Sequence, residues 1–380
     1  MIKPNRNTIK YFDSNINGYV NRSIGIEKFQ EYIKKIYKLE KVLRFDLGEN
    51  SDGPPIKVLE ELASIKNNPE LISEYPDSYY YNLKNKLAIF YGIDMDNIAV
   101  GAGGSDLITN ISKCWLDRGS CAIYPVPSFY VIENSIIEFG GIPIYIRLKE
   151  EENFRWTENT TDELIKVCKY TRPRLIWLVT PNNPTGCIIP IETILKITDA
   201  NQNSIIIVDE VFGEYVSDDA SAINIFRDFE NLLILRTFSK AYGMAGLRLG
   251  YCIGHKDLIK ILEQVRLDFP ITSISEKLGI VALEDKDYLK EMRKKLLKRK
   301  KSIRKNLEDL NIKYIPSDTN IMLIKHGTKN LYNELIKRGI LTAIMETEGL
   351  KGQGYVRITI KNEETNDILL KSLRELVTNS

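Results

Sequence analysis

This sequence predicts an α/β fold with a mostly parallel central sheet between two helical layers, followed by a smaller α/β domain at the C-terminal end. Three observations predict it. Short apolar runs bounded by turn residues recur at 97–100, 120–124, 142–148, 175–179, 205–208 and 232–235. Between them lie segments long enough for crossover helices, and strands buried on both faces read as continuous Val/Ile/Leu runs. Past residue 255 the pattern changes to long Lys/Glu-rich helical stretches with shorter strands at 313–315, 320–324 and 355–360 and a closing helix at 365–376. That change marks a second, smaller unit.

The bulk numbers narrow the class of protein. A chain of 380 residues has room for one large and one small domain. Hydrophobic content of 43% and charged content of 27% are those of an ordinary globular protein. A net charge of +2 gives no reason to expect a nucleic-acid partner. The basic stretch 293–301 alternates with apolar residues and reads as the wet face of a helix. No apolar run approaches the roughly 18 residues that span a bilayer, and no apolar signal segment opens the chain. Five scattered cysteines without a Cys-x-x-Cys pair fit a reducing cytoplasm. The two histidines, His255 and His326, lie in glycine-flanked turns with no partner at ligand spacing, so neither a metal centre nor a Ser-His-Asp triad is expected.

Along the chain, residues 1–40 are polar and Asn-rich, then periodic. Ile26, Phe29, Ile33, Ile36 and Leu39 recur at helical spacing. A short strand at 44–47 leads into the turn-rich loop Gly48-Glu49-Asn50-Ser51-Asp52-Gly53-Pro54-Pro55. Such a loop is a connector, or a lip over a cleft in which Asn50 meets a ligand. The expected division is 1–50 as an N-terminal helical arm shared with the small domain, 51–265 as the large domain, and 266–380 as the small one.

Every polar motif of the large segment follows a strand, and in parallel sheets ligands collect at the strands' carboxyl ends. After 232–235 come Thr237, Ser239 and Lys240, with Arg248 eight residues beyond the lysine. A lysine amine can condense with an aldehyde, while hydroxyls and a guanidinium hold a phosphate. The plain alternative is a surface loop with solvated cations. Gly101-Ala102-Gly103-Gly104-Ser105-Asp106 stands between a strand and a helix, where free N–H groups bind anions. Its spacing is neither a dinucleotide fingerprint nor a Walker loop. Asn183 lies in the rigid turn Asn182-Asn183-Pro184 and could donate from its carboxamide, or simply shape the turn. Asp209 ends the run Ile205-Ile206-Ile207-Val208, where a carboxylate is expensive unless it faces a cation. The alternative is a helix cap. Phe129 can stack on a flat ring or fill the core. Arg357 alternates with apolar neighbours at 355–360 and needs an anion, from a ligand or an internal salt bridge. The tyrosine-dense stretch Glu74-Tyr75-Pro76-Asp77-Ser78-Tyr79-Tyr80-Tyr81 cannot turn every ring inward.

Three motifs, taken in order, resemble a known family. They are Thr180-Pro181-Asn182-Asn183-Pro184-Thr185-Gly186, Asp209-Glu210, and Ser239-Lys240 with Gly246-Leu247-Arg248-Leu249-Gly250-Tyr251. Together they resemble the fold-type-I pyridoxal-phosphate enzymes, the class I and II aminotransferases, over residues 44–376. Within them the chain looks most like the histidinol-phosphate aminotransferase branch. The resemblance implies a pyridoxal 5′-phosphate cofactor joined to Lys240, which would also shuttle the proton. Asp209 would face the pyridinium nitrogen, Asn183 the ring oxygen, and Phe129 the ring face. Gly104, Ser105, Asp106, Thr237, Ser239 and Arg248 would surround the phosphate. Tyr75 would reach the cofactor phosphate of a neighbouring subunit, which implies a homodimer with shared sites. Arg357 would take the substrate carboxylate, with Asn183 and Asn50 also at the substrate.

The implied activity is transamination of an amino acid or amino alcohol, with or without a phosphate, against a keto acid. Decarboxylation of a phosphorylated serine or threonine is the enzymatic alternative, and a cofactor-binding regulator the non-enzymatic one. Two departures stand out. Phe212 occupies the place where the family usually has a tyrosine, as in the threonine-phosphate decarboxylase branch. The run Leu341-Thr342-Ala343-Ile344-Met345 carries no cation where the aminotransferase branch places an arginine for a substrate phosphate.

Overall fold

In a computed structural model, which describes residues 25–285 and 287–378, the apolar runs assemble into a seven-stranded sheet and a separate four-stranded one. In chain order the strands are β1 (Leu43–Arg44), β2 (Ile98–Gly101), β3 (Cys121–Val126), β4 (Ile142–Arg147), β5 (Leu175–Val179), β6 (Ile205–Asp209), β7 (Leu232–Thr237), β8 (Gly250–Gly254), β9 (Lys313–Tyr314), β10 (Ile321–Lys325), β11 (Ile340–Leu341), β12 (Ala343–Ile344) and β13 (Val356–Thr359). The large sheet has the order β2-β8-β7-β6-β5-β3-β4. Its pairs β3·β4, β3·β5, β5·β6 and β6·β7 are parallel, whereas β8 runs antiparallel to both β2 and β7.

The β-branched runs are apolar throughout because both faces of the sheet are covered. Ile207, Leu233 and Leu235 pack with Leu107, Ile108, Ile132, Ile136, Ile259 and Leu262 from helices Gly104–Trp115, Tyr130–Glu138 and Lys256–Val265. The alternate residues Ile206, Val208 and Ile234 pack with Leu83, Leu87, Leu164, Ile194, Ile197 and Leu278 from helices Tyr81–Tyr91, Glu158–Thr171, Ile191–Ala200 and Ser273–Ala282. This period-two division of one strand between two helical layers is the expected three-layer α/β architecture.

From helix Tyr288–Asp309 on, the C-terminal segment builds a second core, which also takes in Phe45, Phe212, Tyr215 and Ala241. Met292, Leu296, Ile303 and Leu307 of helix Tyr288–Asp309 and Leu369, Leu370 and Leu373 of helix Glu363–Thr378 pack with Met322, Ile324, Val356 and Ile358 of its sheet. That sheet has the order β12-β13-β10-β9. The N-terminal segment joins this region, because β1 pairs in parallel with β11 through Leu43↔Ile340 and Arg44↔Leu341. The periodic stretch near the start is the helix Ile26–Tyr37, while residues 1–24 lie outside the described set. The strand expected at 44–47 is confined to Leu43–Arg44, because from Phe45 on the backbone carbonyls turn to side-chain donors.

Candidate active site

The carboxyl ends of β2, β3, β5, β6 and β7 share one edge of the sheet. Antiparallel β8 starts there as well, since Gly250 pairs with Gly101 on one side and Thr237 on the other. That register delivers Arg248, two residues before β8, to the edge where Lys240 and Asp209 lie.

Lys240 follows the end of β7 and donates from Nζ to the Leu47 carbonyl at 2.8 Å. The amine stands 5.2 Å from the centre of the Phe212 ring. Burial, aided by the nearby Arg357 and Arg248 cations, pushes its pKa down to about 8 against the opposing pull of Glu49 and Asp209. Asp209 is 2% exposed, and its Oδ1 accepts the Val211 N–H at 3.0 Å. Burial pushes its carboxyl up to about 6, although that N–H and Lys240 act in the opposite sense. An amine that gives up its proton more readily than usual and a buried carboxyl that holds its proton more tightly thus share one enclosure. Each is tuned away from its ordinary state in the way functional groups are.

Asn182 and Asn183 divide the work of the β5 turn. Asn182 is structural: its Nδ2 donates to the Pro127 carbonyl at 2.9 Å and to Thr185 Oγ1 at 3.1 Å, and its Oδ1 accepts from Ser128 Oγ at 2.9 Å. Asn183 is held by Arg357, whose Nη1 donates to Asn183 Oδ1 at 2.6 Å. With that oxygen committed, the amide nitrogen is the group able to donate to a ligand. Arg357 is 2% exposed and also donates from Nη2 to the Asp46 carbonyl. The half-buried arginine predicted from its strand pattern is therefore fully enclosed and ties β13 to the β5 turn.

The anion-binding residues also converge. Ser239 Oγ accepts from Arg248 Nη1 at 3.2 Å, and the Thr237 hydroxyl lies 3.0 Å from Ser239 Oγ. Arg248 Nη2 reaches the Ala102 carbonyl at 3.4 Å, across the loop that opens helix Gly104–Trp115. Gly103 has φ 85°, and a Cβ there would lie 2.5 Å from Arg248 Nη2, so only glycine lets the guanidinium close over this helix N-terminus. Gly104 and Ser105 open the helix with N–H groups that have no intrahelical partner. Asp106 turns inward: its Oδ2 accepts the Ala102 N–H at 2.9 Å, so its carboxylate shapes the loop. Phe129 caps helix Tyr130–Glu138 at the end of β3 and meets Tyr130 edge to face at 5.4 Å.

Two candidates have their side chains engaged within the chain. Asn50 spends both N–H hydrogens inside the chain, on the Ala241 carbonyl and the Tyr288 hydroxyl, each at 2.8 Å. Tyr75 is 82% exposed and stacks on Phe269 at 4.7 Å.

Sequence reasoning missed the polar layer behind Asp209. Arg236, one residue before Thr237 and so on the opposite face of β7, bonds Glu210 at 2.7 Å and Glu214 at 3.0 Å. Ser221 donates to Glu210 Oε2 at 2.7 Å. One cation faces two buried acids, and burial pushes the Glu214 carboxyl upward. The available signal was an arginine inside the apolar run Leu232-Leu233-Ile234-Leu235-Arg236.

The chain matches known proteins over most of its length. The family model for aminotransferase class I and II matches residues 40–373. A histidinol-phosphate aminotransferase of Thermoanaerobacter sp. (strain X514) is 34% identical over 93% of this chain and 97% of its own. One from Ruminiclostridium cellulolyticum is 32% identical over 89% of this chain and 93% of its own. Among solved structures, the fold is similar to histidinol-phosphate aminotransferase from Sinorhizobium meliloti in complex with pyridoxal-5′-phosphate, with TM-score 0.83 and 24% identity over 92% of this chain and 94% of that one. It is also similar to aspartate aminotransferase from Thermus thermophilus with maleate, with TM-score 0.80 and 17% identity over 99% of this chain and 100% of that one. With the lysine, the aspartate and the Asn–Arg pair gathered at one sheet edge, the chain belongs to the class I and II aminotransferases, the pyridoxal-phosphate-dependent transaminases.

Proposed function

We propose that the donor is a primary amine carried next to an anionic group, with histidinol phosphate the first candidate, and that a keto acid is the acceptor. The observation that carries the reading is the convergence of the Lys240 amine, the Asp209 carboxylate and the Arg357–Asn183 pair on one edge. The naming of relatives 34% and 32% identical to this chain supports that donor.

The residues fit the cofactor by their chemistry. Bound pyridoxal phosphate supplies an aldehyde for amines and a ring that withdraws electrons from the donor's α-carbon. Lys240 offers the amine that holds it and can move a proton at that carbon. Asp209 offers an anion to the ring nitrogen, and Asn183 Nδ2 a donor to the ring oxygen. Arg248, Ser239, Thr237 and the helix N-terminus at Gly104 and Ser105 offer charge and N–H groups to the phosphate, with Asp106 bracing their loop. Phe129 offers a ring face, and Arg357 a guanidinium for a substrate anion. Phe212 brings no hydroxyl, so the ring oxygen depends on Asn183. Of the expected segments 1–50, 51–265 and 266–380, the second boundary belongs further on, because Leu278 and Leu283 pack with the large sheet and the second core starts with helix Tyr288–Asp309.

The test is a donor panel offered to the loaded enzyme. Histidinol phosphate and a keto acid should give amino-group transfer, with the cofactor's absorption band shifting on the first half-reaction alone. Carbon dioxide release from phosphorylated serine or threonine without any keto acid would overturn the reading in favour of decarboxylation.

The same reading includes a cytoplasmic homodimer. Tyr75 and Leu267, 82% and 74% exposed, are large apolar groups left facing water. In this reading Tyr75 reaches a second copy's phosphate site. Sedimentation should show a dimer, and Tyr75→Ala should weaken cofactor affinity by about tenfold, the loss expected for one hydrogen bond to a charged group. A wild-type monomer with full activity would remove this arm of the proposal.

A further inference from the structure

The loop 46–53 runs past Lys240, and side chains hold several groups along it. The Asp46 carbonyl accepts from Arg357, and the Leu47 carbonyl accepts from Lys240 Nζ at 2.8 Å. The Gly48 and Glu49 carbonyls accept from Asn320 Nδ2 at 3.3 and 3.1 Å. The Asp52 carboxylate takes both terminal nitrogens of Arg299 at 2.8 Å each.

The tightest knot lies at Asn50. Its carboxamide has two N–H hydrogens, and both are used. One goes to the carbonyl of Ala241, the residue directly after Lys240, at 2.8 Å. The other goes to the Tyr288 hydroxyl at 2.8 Å. That hydroxyl accepts from Asn50 and has one hydrogen to give. The Gly53 carbonyl at 2.5 Å takes it in preference to the Ala241 carbonyl at 3.2 Å. Asn50 Oδ1 accepts the Asp52 N–H at 3.0 Å, which completes the carboxamide. Beneath this knot the two backbones touch: a Cβ on Gly243, whose φ is 67°, would lie 2.4 Å from the Gly53 oxygen. The Tyr288 ring lies parallel to that of Tyr242 at 6.3 Å, with 11° between planes.

From this we infer that Tyr288 and Asn50 are positioning residues for Lys240. They fix the Lys240–Gly243 turn to the loop whose Leu47 carbonyl receives the amine, so they set where the amine stands. Neither residue needs to touch cofactor or substrate. A fully satisfied network is stiff because any displacement strands a buried donor or acceptor. The inference rests on the reading of Lys240 as the cofactor-holding group, and misplacement of such a group by a fraction of an ångström lowers turnover more than binding.

The test uses loaded enzyme with Tyr288→Phe, Asn50→Ala and the double variant. Tyr288→Phe keeps the ring and its stacking and removes only the hydroxyl. The expected result is a fall in kcat of about tenfold with KM within about twofold. The pH midpoint of the cofactor's absorption band should move by at least about half a unit, because the amine's surroundings change. The double variant should lose no more than the worse single one, since both changes cut the same knot. A purely structural role would lower the melting temperature yet leave the midpoint and kcat per bound cofactor unchanged, and that result overturns the inference. Should Tyr288→Phe not fold, Asn50→Ala reads the same two quantities. A wild-type protein that develops no absorption band with the cofactor would instead overturn the underlying reading.

Discussion

Replacing Lys240 by alanine lowers turnover by about ten-thousand-fold or more, the combined expectation for losing a covalent anchor and a positioned proton carrier. One amine serves both purposes. The fold survives, because the amine makes a single hydrogen bond, to the Leu47 carbonyl at 2.8 Å, worth about 1 kcal/mol. The wild-type control carries a pH signature. Condensation needs the neutral amine, and burial together with Arg357 and Arg248 brings its pKa down to about 8. The neutral fraction grows as pH rises toward that value and levels off above it. Capture of added cofactor by cofactor-free protein should therefore speed up by about tenfold per pH unit below the midpoint and plateau above it. Stopped-flow absorbance measures this directly. A variant retaining more than about a hundredth of the turnover, or capture that is flat between about pH 6 and pH 9, would show that the amine is not the reacting group.

What sequence could read here, and what it could not, follows from how local each signal is. The runs at β5, β6 and β7 were legible because a strand buried on both faces has to be apolar at every position. Asp209 stood out because a charge at the end of such a run has a solvation cost that demands a partner, and Lys240 because hydroxyls and an arginine accompany it after a strand. Strand β8 was not legible as part of the sheet. Its five residues, Gly250 to Gly254, are bounded by glycines and run against their neighbours, and pairing direction is a property of the whole sheet. Strands β11 and β12 have two residues each, too few to show a period. Arg236 was hidden for a different reason. Its counter-charges Glu210 and Glu214 come from another strand end, so only the fold shows that the cation is balanced. Asn50 shows the limit most clearly. A polar amide in a glycine-rich loop suggested a ligand contact. The partners of its amide N–H groups in the structure, Ala241 and Tyr288, lie 191 and 238 residues away along the chain.

Exchanging Asp209 for asparagine should separate activity from stability. Asparagine has nearly the same shape and can still accept the Val211 N–H, now at 3.0 Å, so local geometry is preserved. What disappears is the negative charge facing the site. A cationic ring nitrogen loses its partner, the pull on the donor's α-carbon weakens, and kcat falls on the order of a thousandfold, as when a preorganised electrostatic contact is removed. Cofactor affinity falls by about tenfold for the lost charge-assisted bond. Stability of the cofactor-free protein moves the other way. In the folded chain burial raises this carboxyl from its ordinary value to about 6. A group that binds its proton more tightly when folded contributes stability that is present at low pH and is lost as pH rises through the folded value. At neutral pH the buried, poorly paired carboxylate is therefore a burden, and asparagine should raise the melting temperature of the cofactor-free protein while flattening its dependence on pH across that range. Calorimetry at pH values on either side of about 6, beside single-turnover kinetics of the loaded protein, reads both halves. A variant that is less stable and equally active would place the carboxylate's role in the fold and remove it from the chemistry.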